Sequence, residues 1–229
     1  MTDQGAESRT LLRLRFPRRS NPRQPSLTLP LAVENPMRIV EILFYDTNKV
    51  KLVVEMPDPN RYTTDHVPHL PRSLFKLFPH LAHHKCHNDH GHSFRRESLA
   101  TEIPHLLEHL IIELQTQAQR HEILKGETQW NWRVDPRGTF HVHVEYENEQ
   151  LVLAAIRLAE RILNALDKRE IDALDTEREV ERLRMLAQLG DELRQRSDRN
   201  DAVPLEAGPL ALSRGRVKGG RSRSARSIR

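Results

Sequence analysis

The chain has 229 residues, 37% of them hydrophobic and 30% charged, which is enough for one domain of ordinary size with polar extensions. Its single cysteine, Cys86, excludes an intramolecular disulfide framework and a CxxC zinc ribbon, and no run of 18 apolar residues offers a membrane span. The formal net charge of +4 belongs to the ends. Residues 1–36 carry six Arg against three acids and residues 201–229 seven Lys/Arg against two, whereas 37–200 holds 23 Lys/Arg and 27 Asp/Glu, so the body is not a basic nucleic-acid-binding domain.

Residues 1–36, rich in Arg, Pro and Ser, read as a disordered leader. They lack the apolar core of a secretory signal, and we expect a cytoplasmic protein. Met37 opens a strand, Met37 to Phe44, which turns around Asp46-Thr-Asn48 into a second β-rich run, Val50 to Met56; the two form a hairpin. Pro57 and Pro59 close it, and a loop leads to a short helix near Pro71–Phe78. A histidine-dense loop follows over 79–93.

A helix is expected from about Thr101 to Gln119, with Leu107, Leu110, Ile111 and Leu114 on the side that packs on the sheet. Its opposite side carries His105, Glu108, His109 and Glu113, with Ile112 among them, a sign that this face too is partly covered. Thr128–Val134 and Thr139–Glu147 then alternate as strands around an Asp135-Pro-Arg-Gly138 turn. Helix Glu149–Leu166 is apolar except for a narrow stripe of Arg157, Glu160, Arg161 and Asn164. From Asp167 to about Arg196 the apolar positions are too sparse for a core, and the stretch reads as a charged, solvated helical extension, with pairing against another helix as the alternative. Residues 201–229 read as a disordered basic tail. The expected fold is α+β: a small, mainly antiparallel sheet on two principal helices within residues 37–168, then a charged helix over 169–200.

The chemistry is concentrated in the central helix. His105, Glu108 and His109 form H-x-x-E-H, the inverted zincin signature. Histidines four apart lie one helical turn apart and can reach one ion, Glu108 is placed to take a proton from a water on that ion, and Glu113 is a third ligand or an orienting carboxylate. Zn2+ is the natural metal for such donors. His and Glu are also ordinary residues on a helix's wet face, so the pattern alone does not separate a metal site from a solvated stripe. Eight of the thirteen histidines lie between His66 and His92, and this tract reads as a loop or substrate-contact segment rather than a structural metal site. No Walker A motif, dinucleotide fingerprint or G-x-S-x-G elbow is present.

Several stretches, in order, resemble the N-terminal domain of cyanophycin synthetase. Met37-Arg-Ile-Val-Glu-Ile42 looks like its opening strand, Phe78-Pro-His-Leu-Ala-His-His-Lys-Cys86 is similar to a segment ending in His-x-Cys, and His105-Leu-Leu-Glu-His-Leu-Ile-Ile-Glu-Leu-Gln115 resembles its central helix. Phe140-His-Val-His-Val-Glu-Tyr-Glu147 and Leu158-Ala-Glu-Arg-Ile-Leu-Asn-Ala-Leu166 look like its last strand and helix. The chain departs from that pattern where His87-Asn-Asp-His-Gly-His92 replaces glycines, and where Pro104 replaces a glycine before the first histidine.

The resemblance implies a domain that holds an aspartate-backbone polymer and that, in some members, is a zinc hydrolase that trims it. It assigns His105, His109 and Glu113 to the metal and Glu108 to general base catalysis, while His84 and Cys86, in the histidine-dense loop, are read from that loop as substrate contacts. No ATP-dependent ligase activity is expected. Two functions follow: a zinc-dependent hydrolase acting on a peptide or aspartate-rich polymer, or a non-catalytic polymer-binding or adaptor module. The expected partners are that polymer and a second copy or another helix, with no membrane, and nucleic acid only weakly through the tails.

Overall fold

The computed structural model describes residues 13–15, 35–86, 92–119, 123–171 and 174–201. Strands β1 (Arg13–Arg15), β2 (Arg38–Tyr45), β3 (Lys49–Glu55), β4 (Gly126–Gln129) and β5 (Thr139–Glu145) form one antiparallel sheet in the order β1-β2-β3-β5-β4. Asn48, at φ 55°, makes the tight turn between β2 and β3, a conformation asparagine tolerates. Val50, Leu52 and Val54 on β3 and Phe140, Val142 and Val144 on β5 are buried on one face, as period-two alternation requires. On β2 the inward residues Ile39 and Ile42 are three apart, which strict alternation forbids. A register shift between Ile39 and Glu41 inserts the extra residue that lets both face the core.

Helices α1 (His69–Leu77), α2 (Phe94–Glu97), α3 (Ile103–Ala118), α4 (Glu149–Asp167) and α5 (Thr176–Asp201) complete the described fold. The fold class is therefore α+β, with α3 packed against α4, β4 and β5. Asn148 caps α4 by accepting from the Leu151 amide at 3.0 Å. Helix α3 has no side-chain cap. Its first amide, Ile103 N, donates to Tyr62 O at 2.9 Å, and Thr64 and Thr101 exchange two further bonds, so the segment before α1 supplies what a cap would.

Four expectations change. Three residues of the supposed leader, Arg13–Arg15, pair with β2, whose outer edge would otherwise offer unpaired backbone groups; the remainder of 1–34 and the basic tail beyond Asp201 lie outside the described residues. The strand expected over Thr128–Val134 is Gly126–Gln129 instead, because Asn131 O accepts from both Val134 N and Asp135 N and winds that segment into a turn. The charged helix does not continue from Asp167: Arg169 at φ 62° breaks it, and α5 begins at Thr176. Nor is α5 solvated all round. Val180, Leu183 and Ala187 are buried against α3 and α4, while Met185, Leu189 and Leu193 stay exposed. Among the described residues no helix is long and apolar enough to cross a membrane.

The polar stripe on α4 also has a structural task. Asn164, 6% exposed, accepts from Met37 N and donates to Met37 O, both at 3.0 Å, and Glu160 accepts from Ile39 N at 2.7 Å. These bonds pin the start of β2 to the helix where the bulge loosens the ladder. Asn164→Ala would orphan two buried backbone groups and is expected to lower stability by about 2–4 kcal/mol in urea unfolding. A loss within experimental error would show that β2 is not held this way.

Candidate metal centre

Proline in the first turn of α3 starts the helix just before the motif, so His105, Glu108, His109 and Glu113 all project from one regular segment. Leu106, Leu107, Leu110, Ile111 and Leu114 are fully buried, yet Glu108, His109 and Glu113 are also no more than 4% exposed. The polar side is roofed. Phe94 of α2 stacks on the His109 ring with centroids 3.6 Å apart and meets His105 edge-on at 5.7 Å. The loop after Phe78, folded into a short 3-10 turn over Pro79–His83, brings His84 and Cys86 over the same surface.

Ligand atoms of Cys86, His105 and His109 all lie within 4.8 Å of one another, and Cys86 Sγ is 3.5 Å from His105 Nε2. The other nitrogen of His105 lies 2.8 Å from Thr101 Oγ1, an outer contact of the kind that fixes the orientation of a ligating imidazole. Burial holds the pKa of His105 below the ordinary histidine range against the opposing pull of Glu97, and that of His109 far lower, with His105 and His84 adding to the effect. Burial thus favours the neutral form of both rings, the form that binds metal.

Glu108 turns toward β4. Thr128 Oγ1 donates to its Oε2 at 2.6 Å, and Gly126 leaves room for the carboxyl: a Cβ there would lie 2.5 Å from Glu108 Cγ and 2.7 Å from Oε1. Burial pushes the Glu108 carboxyl up to about 7, with Thr128 pulling it down and Glu127 pushing it further up. Glu113 does not join the grouped donors. Its Oε2 is 2.8 Å from His84 Nε2 and its Oε1 accepts from Gln117 Nε2 at 2.6 Å. Burial would raise this carboxyl, but those hydrogen bonds outweigh it and hold the pKa below the usual range.

The expected set is therefore redistributed. Cys86 lies in the ligand-capable cluster, Glu113, expected as a third ligand or an orienting carboxylate, lies outside that cluster behind His84, and His84 faces His109 and Glu113. Of the histidine tract, His87 and His90 lie outside the described residues. Phe94, Thr101, Thr128, Gly126 and Gln117 were not visible as site residues. The one available signal was the lone thiol two residues after a histidine, upstream of a helical histidine pair.

In this α+β domain one thiol and two imidazoles thus converge at the buried polar side of α3. A family model for the cyanophycin synthase-like N-terminal domain matches residues 51–168, and the chain belongs to that family. No curated protein matches the chain.

Two outcomes test this geometry. The Glu108 carboxyl binds its proton more tightly in the folded chain than in the unfolded one, so ionisation penalises the fold increasingly as pH rises from the ordinary carboxylate range through about 7. Glu108→Gln should therefore raise stability at pH 8, by on the order of 1–3 kcal/mol, with a smaller gain at pH 4. Equal stability at both pH values would show that the carboxyl is not desolvated. Gly126→Ala should lower the thermal midpoint by displacing Glu108, and pairing it with Glu108→Ala, which frees that space, should recover most of the loss; strictly additive losses would show that the two do not touch.

Proposed function

We propose that the chain is a zinc-dependent hydrolase acting on amide bonds of a peptide-like or cyanophycin-like chain, with Cys86, His105 and His109 as ligands and Glu108 as general base. The observation that carries this reading is the convergence, within 4.8 Å, of the Cys86 thiol from its loop and two imidazoles of the helix that also holds Glu108. One thiol and two neutral imidazoles form a borderline-soft donor set suited to zinc, and three protein ligands leave a fourth position for chemistry.

Zinc in such a site acidifies a water and polarises a carbonyl. The chain's own residues do the rest. Glu108, with its carboxyl near neutrality, accepts a proton as the water oxygen adds to the amide carbon, and returns it to the nitrogen as the C–N bond breaks. Thr128 and Gly126 hold that carboxyl in place. Phe94 covers the two imidazoles and keeps bulk water from them.

Elemental analysis should find close to one zinc per chain, with Cys86→Ser, His105→Ala and His109→Ala each losing it while remaining folded. Glu108→Gln should retain zinc and lower turnover of cyanophycin-like and aspartyl peptides by about 100-fold or more. Turnover equal to wild type would sink the mechanism, and polymer binding with no turnover in either protein would favour an adaptor.

A further inference from the structure

We propose that Trp130 is a specificity-determining residue: its exposed ring takes a cationic side chain, arginine above all, of a peptide lying across the Cys86–His105–His109 site. The choice of a peptide as ligand rests on the hydrolase reading. The preference for a cation does not.

The ring is placed by β4. Thr128 directs its side chain to Glu108, and two residues further along an extended backbone a side chain points the same way. Trp130 stands there, one residue past the strand, with its ring centroid 6.1 Å from that of Phe140, which is buried on the helix-covered face of the sheet. Helix α3 runs opposite to β4. Gln115 donates to Glu145 O beside Lys125, whereas Glu108 meets Gly126 and Thr128. Continuing that progression, Trp130 lies toward the first turn of α3, where His105 is. The ring contacts agree: Trp130 is 6.1 Å from Trp132, Trp132 is 5.3 Å from Tyr62, and Tyr62 O accepts from Ile103 N, two residues before His105.

Neighbouring rings differ in what they have left to offer. Trp132 carries the Arg137 guanidinium over its face at 5.8 Å and gives its indole N–H to Thr139 O. Trp130 is 44% exposed, and among the described residues no cation lies over it. The surrounding charge selects the ligand. Glu97 acts on His105 and Glu127 acts on Glu108, and among the described residues no lysine or arginine acts on either. Glu102 adds a third carboxylate, 3.5 Å from the Thr101 hydroxyl that meets His105. An open aromatic face attracts a cation through its quadrupole, a flat guanidinium stacks on it well, and the carboxylates raise the local concentration of positive groups. An anionic side chain would meet only repulsion there.

The test uses the full-length chain and short aspartyl peptides carrying one arginine at each position in turn. Matched peptides carry citrulline, which keeps the shape of arginine without its charge. At the position that reaches the ring, wild type should favour arginine over citrulline by about 5- to 30-fold in KM, with kcat unchanged. Trp130→Ala should erase that preference, and so should Trp130→Leu, which keeps apolar packing without the aromatic face. Trp130→Phe should restore part of it. The same ratios are expected in dissociation constants measured by calorimetry, which needs no turnover. An arginine preference that survives in Trp130→Leu would belong to the carboxylates alone and overturn the proposal. Equal binding of arginine and citrulline peptides by wild type, or binding of neither, would also overturn it. The expected dissociation constants in a chain that cleaves none of the peptides would uphold the proposal and defeat the hydrolase reading.

Discussion

Helix α3 has to bury both of its sides. Its leucines and isoleucines fill the space over β5, yet His109, Glu108 and Glu113 on the other side are buried as well, under Phe94, β4 and the His84–Cys86 loop. Polar groups removed from water cost a few kcal/mol each unless they are bonded, so every one of these must find a partner. That requirement explains the neighbours: Thr101 for His105, Thr128 for Glu108, His84 for His109 and Glu113, and Gln117 for Glu113. The fold around α3 is shaped by satisfying a polar layer, and the same layer is what can hold an ion.

The two carboxylates show how burial is turned to different ends. Glu108 receives one hydroxyl and is pushed up to about 7, while Glu113 receives an amide and an imidazole and is held down. They are five residues apart on one helix. The difference lies in the donors: one hydroxyl does not offset the burial of Glu108, whereas an amide and an imidazole outweigh that of Glu113.

Much of the architecture was legible because it follows from periodicity. The alternation in β3 and β5 and the 3.6-residue spacing of Leu107, Leu110, Ile111 and Leu114 correspond to the buried faces observed. The misreadings have local causes. Trp130 and Trp132 imitate the alternation of a strand, but Asn131 turns the chain there, and the Trp132 indole donates to Thr139 O while its ring packs on Tyr62 and Phe140. Sparse apolar residues hid the packing of α5, which needs only Val180, Leu183 and Ala187 on one side, with Arg184 reaching the Gln117 carbonyl. At the site the H-x-x-E-H spacing located the helix and the histidines, whereas the third donor, Cys86, lies nineteen residues upstream on a loop, a proximity no helical spacing encodes. Asn164 was read only as part of a narrow polar stripe because a side chain bonding a distant strand's backbone leaves no pattern in sequence.

The central claim is that Cys86, His105 and His109 form one site. X-ray absorption at the zinc edge of the full-length chain loaded with one equivalent of zinc tests it most directly. The account predicts one sulfur neighbour at about 2.3 Å and two imidazole nitrogens at about 2.0–2.1 Å, with the sulfur lost in Cys86→Ser. A zinc shell of oxygen and nitrogen alone in the wild-type chain would contradict it.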